Sequence, residues 1–129
     1  MRDNNQVEVA SSSVIEAPIA ALWGLVKDFN NISHWHPDVT ESRLESGTGL
    51  VPGAIRQIRL RNGMSIREQL MEISDREHFY TYSVIEAPLP IRDHQSTVRF
   101  TEAGDSRTQV VWSAKFTWSA RTRNSLRME

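Results

Sequence analysis

Two runs of alternating apolar residues flank Asn62-Gly63, and each carries one charge on its apolar face. In residues 54–60, Arg56 shares its parity with Ile58 and Leu60; in residues 64–73, Glu68 shares its parity with Ile66 and Leu70. Successive side chains of a strand point to opposite faces, so both charges fall on the side of a hairpin that has to be covered. An unpaired buried charge is strongly disfavoured, so each requires a partner, water or a ligand. A two-residue loop at Asn62-Gly63 would set Leu60 against Ser65 and cross the two patterns. A three-residue loop, Arg61-Asn62-Gly63, with Gly63 left-handed in a G1 bulge, sets Leu60 against Met64, Ile58 against Ile66 and Arg56 against Glu68. Only the second register gives every apolar residue an apolar neighbour. It predicts a cross-strand ion pair on the core face and a partly polar interior cavity.

The rest of the chain supplies the sheet around that hairpin. Residues 7–15 are rich in β-branched residues and serine and read as a first strand. Pro18 suits a first helical position, and Ile19, Leu22, Trp23 and Val26 follow helical spacing, predicting a helix over 18–28. A second short helix over 30–35 stops before His36-Pro37, because the residue preceding proline disfavours helical geometry. Strands are predicted over 39–45, 54–60, 64–73, 78–85, 92–101 and 107–118, joined by short connections that suit an antiparallel meander. Val110, Trp112, Ala114, Phe116 and Trp118 share one face of the last strand, while Tyr80, Tyr82 and Val84, and His94, Ser96, Val98 and Phe100, share the inward faces of theirs. Seven strands with an early helix pair make an α+β fold in which the helices cover one face of a curved antiparallel sheet.

Composition narrows the function. The 129 residues read as one domain, 1–129, with a core over about 7–118 and a short tail over 119–129. A net charge of −1 gives no electrostatic case for nucleic acid or an acidic membrane surface. The absence of cysteine excludes disulfides and thiolate chemistry, and no long apolar run suggests membrane insertion; a cytoplasmic protein is expected. Ser46-Gly-Thr-Gly-Leu-Val-Pro-Gly53 lacks the Gly-Lys-Ser/Thr of a phosphate loop, and there is no Gly-x-Ser-x-Gly nucleophile motif.

Several stretches carry a family resemblance. Ile15-Glu-Ala-Pro-Ile-Ala-Ala-Leu-Trp23, Trp35-His36-Pro37, Gly53-Ala-Ile-Arg56-Gln-Ile-Arg-Leu60, Ile66-Arg-Glu68-Gln-Leu70, Tyr82, Leu89-Pro90 and Val111-Trp112 occur in that order. Over roughly residues 7–118 the chain resembles the START/SRPBCC superfamily, in its polyketide cyclase and dehydrase branch, and more distantly the plant abscisic-acid receptors. The resemblance implies a helix-grip fold: a curved sheet enclosing a cavity for an apolar small molecule, with Trp35 and His36 beside it. Such proteins close the cavity with a long C-terminal helix. Here the eleven residues 119–129 are expected to form a short helix or none, leaving Trp112, Phe116 and Trp118 uncovered and favouring a homodimer.

Candidate site residues follow from parity. Arg56 and Glu68 form either a structural ion pair or a ligand-contacting one, with Arg56 on a ligand carboxylate or carbonyl and Glu68 orienting it. Tyr80, Tyr82 and His94 add polar tips to an apolar wall, joined by Trp112, Trp35 and His36. By residue type, His94 is the first choice for a general base and Glu68 the second. His34, His36 and Asp38 lack a convincing further ligand, so no metal and no cofactor are expected. The expected function is binding of a small apolar molecule such as a lipid, polyketide or aromatic metabolite. The alternatives are a cyclase or dehydratase using cavity acid/base residues, or a protein-interaction module.

Overall fold

In the computed structural model, which describes residues 5–118, the chain reverses at Arg61-Asn62-Gly63 between β3 (Ile55–Leu60) and β4 (Ser65–Ser74). The Leu60 N–H donates to the Met64 carbonyl at 2.8 Å, and Gly63 sits at a φ of 93°. Asn62 Oδ1 accepts from the Met64 N–H at 2.9 Å, completing the bulged loop. Ile58 pairs with Ile66 and Arg56 with Glu68.

The remaining strands are β1 (Gln6–Ile15), β2 (Val39–Ser46), β5 (Phe79–Glu86), β6 (Ile91–Glu102) and β7 (Thr108–Trp118). They build one antiparallel curved sheet in the order β1-β7-β6-β5-β4-β3-β2, so the first and last strands are neighbours. Helix α1 (Ile19–Val26) and a 3₁₀ helix (Phe29–His34) connect β1 to β2. The tail over 119–129 lies outside the described residues, and with it the expected short C-terminal helix.

The helices are shorter and tighter than the sequence pattern suggests. Pro18 is the N-cap rather than the first helical residue, and α1 ends at Val26. Asp28 then caps the next segment, its side chain accepting from the Asn30 N–H at 2.9 Å. That cap starts a 3₁₀ turn one residue earlier than the predicted second helix. Trp23 and Val26 on α1 and Phe29 on the 3₁₀ helix pack against Leu70, Tyr80, Val98 and Phe100 of the sheet. The Trp23 indole N–H also donates to Asp75 at 2.8 Å, tying α1 to the turn after β4. Ile32, Val39, Ile58 and Ile66 form a second apolar cluster towards the β2 edge.

The glycine-rich connection between β2 and β3 has a structural task. The Gly49 carbonyl accepts from the Phe29 N–H at 2.8 Å, and a Cβ on Gly49 would lie 1.9 Å from an Asp28 carboxylate oxygen. Gly49→Ala is expected to displace the Asp28 cap and destabilise the fold by about 1–3 kcal/mol, the usual range for overpacking. Urea unfolding would measure this, and an unchanged midpoint would refute the close approach.

Candidate functional site

Between the helices and the concave face of the sheet lies a cavity of about 510 Å³. Ile32, Val39, Ile58, Leu60, Ile66, Val98 and Val110 supply its apolar wall. Glu68, Tyr80 and Tyr82 bring polar atoms to the wall, with Trp112 beside them. Trp35, His36 and Asp38 line it from the 3₁₀ helix and the turn that follows, and Ser11 and Ser13 from β1. A more open depression of similar volume on the other face of the sheet mixes Val9, Ala10 and Ala114 with Glu8, Gln95, Thr97, Ser113 and Lys115, and no aromatic or large aliphatic residue other than Val9 lines it. The concave cavity has the mixture a small-molecule site needs: apolar walls with a few convergent polar groups.

Arg56 organises the polar side of that wall from behind it. The residue is wholly buried, and its Nε and Nη2 donate to Glu68 Oε1 at 2.9 and 2.7 Å. Its Nη1 donates to the Phe29 carbonyl, so the same side chain joins β3, β4 and the 3₁₀ helix. The guanidinium carbon sits 3.7 Å from the centre of the Phe29 ring and 5.3 Å from that of Tyr82, within cation–π range. Burial works against the Arg56 charge, but Glu68, aided by Tyr80 and Tyr82, outweighs it and holds the guanidinium above the ordinary arginine range. Arg56, read from the sequence as either a structural or a ligand-contacting partner, therefore lies behind the wall with three of its five N–H groups bonded to the protein, and Glu68 is the member of the pair that lines the cavity.

The two tyrosines stay protonated. Burial pushes the Tyr80 hydroxyl up, with the Arg56 charge opposing it. Burial also raises Tyr82, and the negative charge of Glu68 adds to the shift. Tyr82 Oη accepts from the Trp112 indole N–H at 3.2 Å.

His94 has a different role from the one its residue type suggests. The β5–β6 pairing runs only from Phe79–Arg99 to Tyr82–Ser96, and Asp93 takes a φ of 56° where β6 shifts register against β7. The Val84 N–H donates to His94 Nδ1 at 2.9 Å, which replaces a ladder bond. His94 Nε2 therefore carries the ring proton and donates to Ser96 Oγ at 2.8 Å. Its ring lies 5.9 Å from Tyr82 and 6.4 Å from Phe116, outside the set of residues that line the cavity. Burial lowers its pKa. His36 is similarly occupied, with Nδ1 accepting from the Asp38 N–H at 3.1 Å. Among the described residues, no group of three His, Asp or Glu side chains converges as a metal site. No helix there is long and apolar enough to cross a membrane.

Comparison with known proteins fits this geometry. The model of the family described as polyketide cyclase / dehydrase and lipid transport matches residues 6–127. The chain belongs to that family. The chain is 24% identical over 107 residues to the abscisic acid receptor PYL6 of Arabidopsis thaliana; the match covers 77% of the chain and 50% of the receptor. The chain thus spans about half the length of that curated relative. Among solved structures, the protein XoxI of Bacillus cereus is 31% identical with a TM-score of 0.79, covering 88% of this chain and 77% of that one. The ginseng major latex-like protein 151 of Panax ginseng reaches a TM-score of 0.81 at 15% identity, over 92% of this chain and 84% of that one, a likeness of fold alone. The fold is the helix-grip fold of these neighbours.

The cavity brings together Glu68, Tyr80, Tyr82, Trp112, Trp35 and His36 of the expected residues, with Arg56 directly behind and His94 to one side. Trp112, Phe116 and Trp118, expected to be uncovered, are each half-buried, and Trp112 belongs to the cavity wall. Ser11 and Ser13 were missed, although their parity with Val9 and Ile15 carried the signal. Asp38 was weighed only as a metal ligand.

Two outcomes test this account of the site. Replacing Glu68 alone by Gln leaves the buried Arg56 cation poorly paired and is expected to cost about 3–5 kcal/mol. The double variant Arg56→Met with Glu68→Leu should recover most of that loss in urea unfolding; equal stability of both variants would contradict a buried pair. At His94, protonation removes the Nδ1 acceptor. The lowered folded pKa keeps the ring neutral at pH 7, and the stabilising bond is lost as acidification passes below the ordinary ~6.5 and then the folded value. Hydrogen exchange at the Val84 amide, corrected for its intrinsic rate, should lose protection over that window in the parent and show no such step in His94→Ala.

Proposed function

We propose that this domain binds a small, predominantly apolar molecule in its concave cavity. The observation that carries this is the cavity itself: about 510 Å³, walled by seven aliphatic residues, with Glu68, Tyr80 and Tyr82 as its buried polar groups. The volume falls in the usual range for small-molecule sites. Family membership supports the same class of activity, and the curated relative is by its name a small-molecule receptor. Lipids, polyketides and aromatic metabolites suit such a wall.

A binding role is favoured over acid/base catalysis. Both ring nitrogens of His94 are engaged, and the Glu68 charge is balanced by Arg56.

The test uses the neutral fluorophore N-phenylnaphthylamine. Binding should raise its fluorescence, and Ser13→Trp should fill the cavity from the exposed first strand with little disturbance of the core. A loss of affinity of about tenfold or more is expected, the scale of one displaced apolar contact set. Equal affinity in parent and variant, or no binding in either, would overturn the proposal.

A further inference from the structure

Three side chains on one part of the cavity wall are at least nine-tenths buried, and two of them, Glu68 and Tyr82, keep polar capacity unused. Glu68 is 6% exposed, Tyr80 1% and Tyr82 9%. Both Arg56 bonds to Glu68 end on Oε1, so among the described residues no donor is bonded to Oε2. Tyr82 Oη accepts from Trp112, and no acceptor among the described residues takes its hydrogen. The wall therefore offers one carboxylate oxygen and a phenolic O–H to whatever occupies the cavity. Buried groups of this kind are costly to leave unpaired, so they act on ligand choice.

We infer that the cavity selects a neutral ligand bearing a hydroxyl group, which donates to Glu68 Oε2 and accepts from the Tyr82 hydroxyl, and that it rejects carboxylates. The inference rests on the cavity being a binding site and adds the polarity of its ligand. A hydroxyl is both donor and acceptor, which is what this pair of groups calls for.

A carboxylate fails for two reasons. It cannot reach the Arg56 cation, which is wholly buried behind the wall, outside the cavity lining, bonded to Glu68 and the Phe29 carbonyl and covered on one face by the Phe29 ring. It meets the free Glu68 oxygen instead, an acceptor to which a carboxylate has no proton to donate, so two acceptors face each other and the added charge is buried without a counter-charge. An amine cation fails more gently. The Glu68 charge is balanced by Arg56, so an ammonium group would bring an uncompensated charge among aliphatic side chains. The raised Tyr82 pKa agrees with a hydroxyl that remains a donor at neutral pH.

Equilibrium dialysis at neutral pH with β-naphthol, naphthalene and β-naphthoate separates the outcomes, because the three share one ring system. The naphthol is expected to bind about tenfold tighter than naphthalene, the scale of one hydrogen bond to a charged group, and the naphthoate more weakly than either. Tyr82→Phe keeps the shape of the wall and should reduce the naphthol-to-naphthalene affinity ratio by about threefold or more. Glu68→Gln, where it folds, should relieve the exclusion of naphthoate. Naphthoate binding as tightly as naphthol, naphthol no better than naphthalene, or a ratio unmoved by Tyr82→Phe would overturn this inference while leaving the cavity a binding site. Failure of all three compounds together with N-phenylnaphthylamine would overturn the binding role as well.

Discussion

The Arg56–Glu68 contact is the interaction on which the rest of the architecture hangs. A guanidinium with no exposure would be untenable in the core without a counter-charge and hydrogen bonds. Here it is reached from three directions: Glu68 across the β3–β4 ladder, the Phe29 carbonyl from the 3₁₀ helix, and aromatic faces above and beside it. Each contact fixes something else. The ladder contact sets the hairpin register, the carbonyl contact docks the helical segment over the sheet, and the aromatic contacts position Phe29 and Tyr82. The cavity is the space left beyond this cluster, and its polarity is what the cluster leaves unspent.

The same physics explains what could be read from the chain. Arg56 and Glu68 announced themselves because charge on an apolar parity is rare, and the G1-bulged loop followed from matching Ile58 to Ile66. Tyr80, Tyr82 and Trp112 were visible for the same reason, since strand parity maps directly onto a face. The Phe29 carbonyl left no trace in the sequence, because a backbone acceptor has no residue identity. Its bond ties Arg56, which the sequence left open as a structural or a ligand-contacting partner, to the 3₁₀ helix. The close approach of Gly49 to the Asp28 cap was hidden because it depends on a contact between segments about twenty residues apart. His94 misled for a further reason. Residue type says what an imidazole can do, but the irregular β5–β6 pairing decides that its lone pair replaces a missing ladder bond.

Placing the organising cation behind the wall also separates two demands that usually compete. A cavity that must be filled by a guest is a weakness in packing, since its lining atoms lack partners on one side. In this domain a cluster of strong contacts lies immediately at and behind the wall, where Arg56, Glu68, Phe29, Tyr80 and Tyr82 meet. The wall is thereby kept in shape whether or not the space in front of it is occupied, which is the condition for a site formed before its ligand arrives.

The pairing of β1 with β7 has a consequence for how the cavity comes into being. Ser11 and Ser13 hold their places on the wall through Trp112 and Val110, roughly a hundred residues further along the chain, a separation that makes closure entropically late. In a nascent chain that carries β1 to β6, the place beside β6 where β7 and then β1 belong is still empty. The apolar interior is open on that side until the last strand is inserted, so shelter for a guest arrives in one step with the end of folding. For such a molecule, an incompletely folded chain is an open surface rather than a smaller pocket.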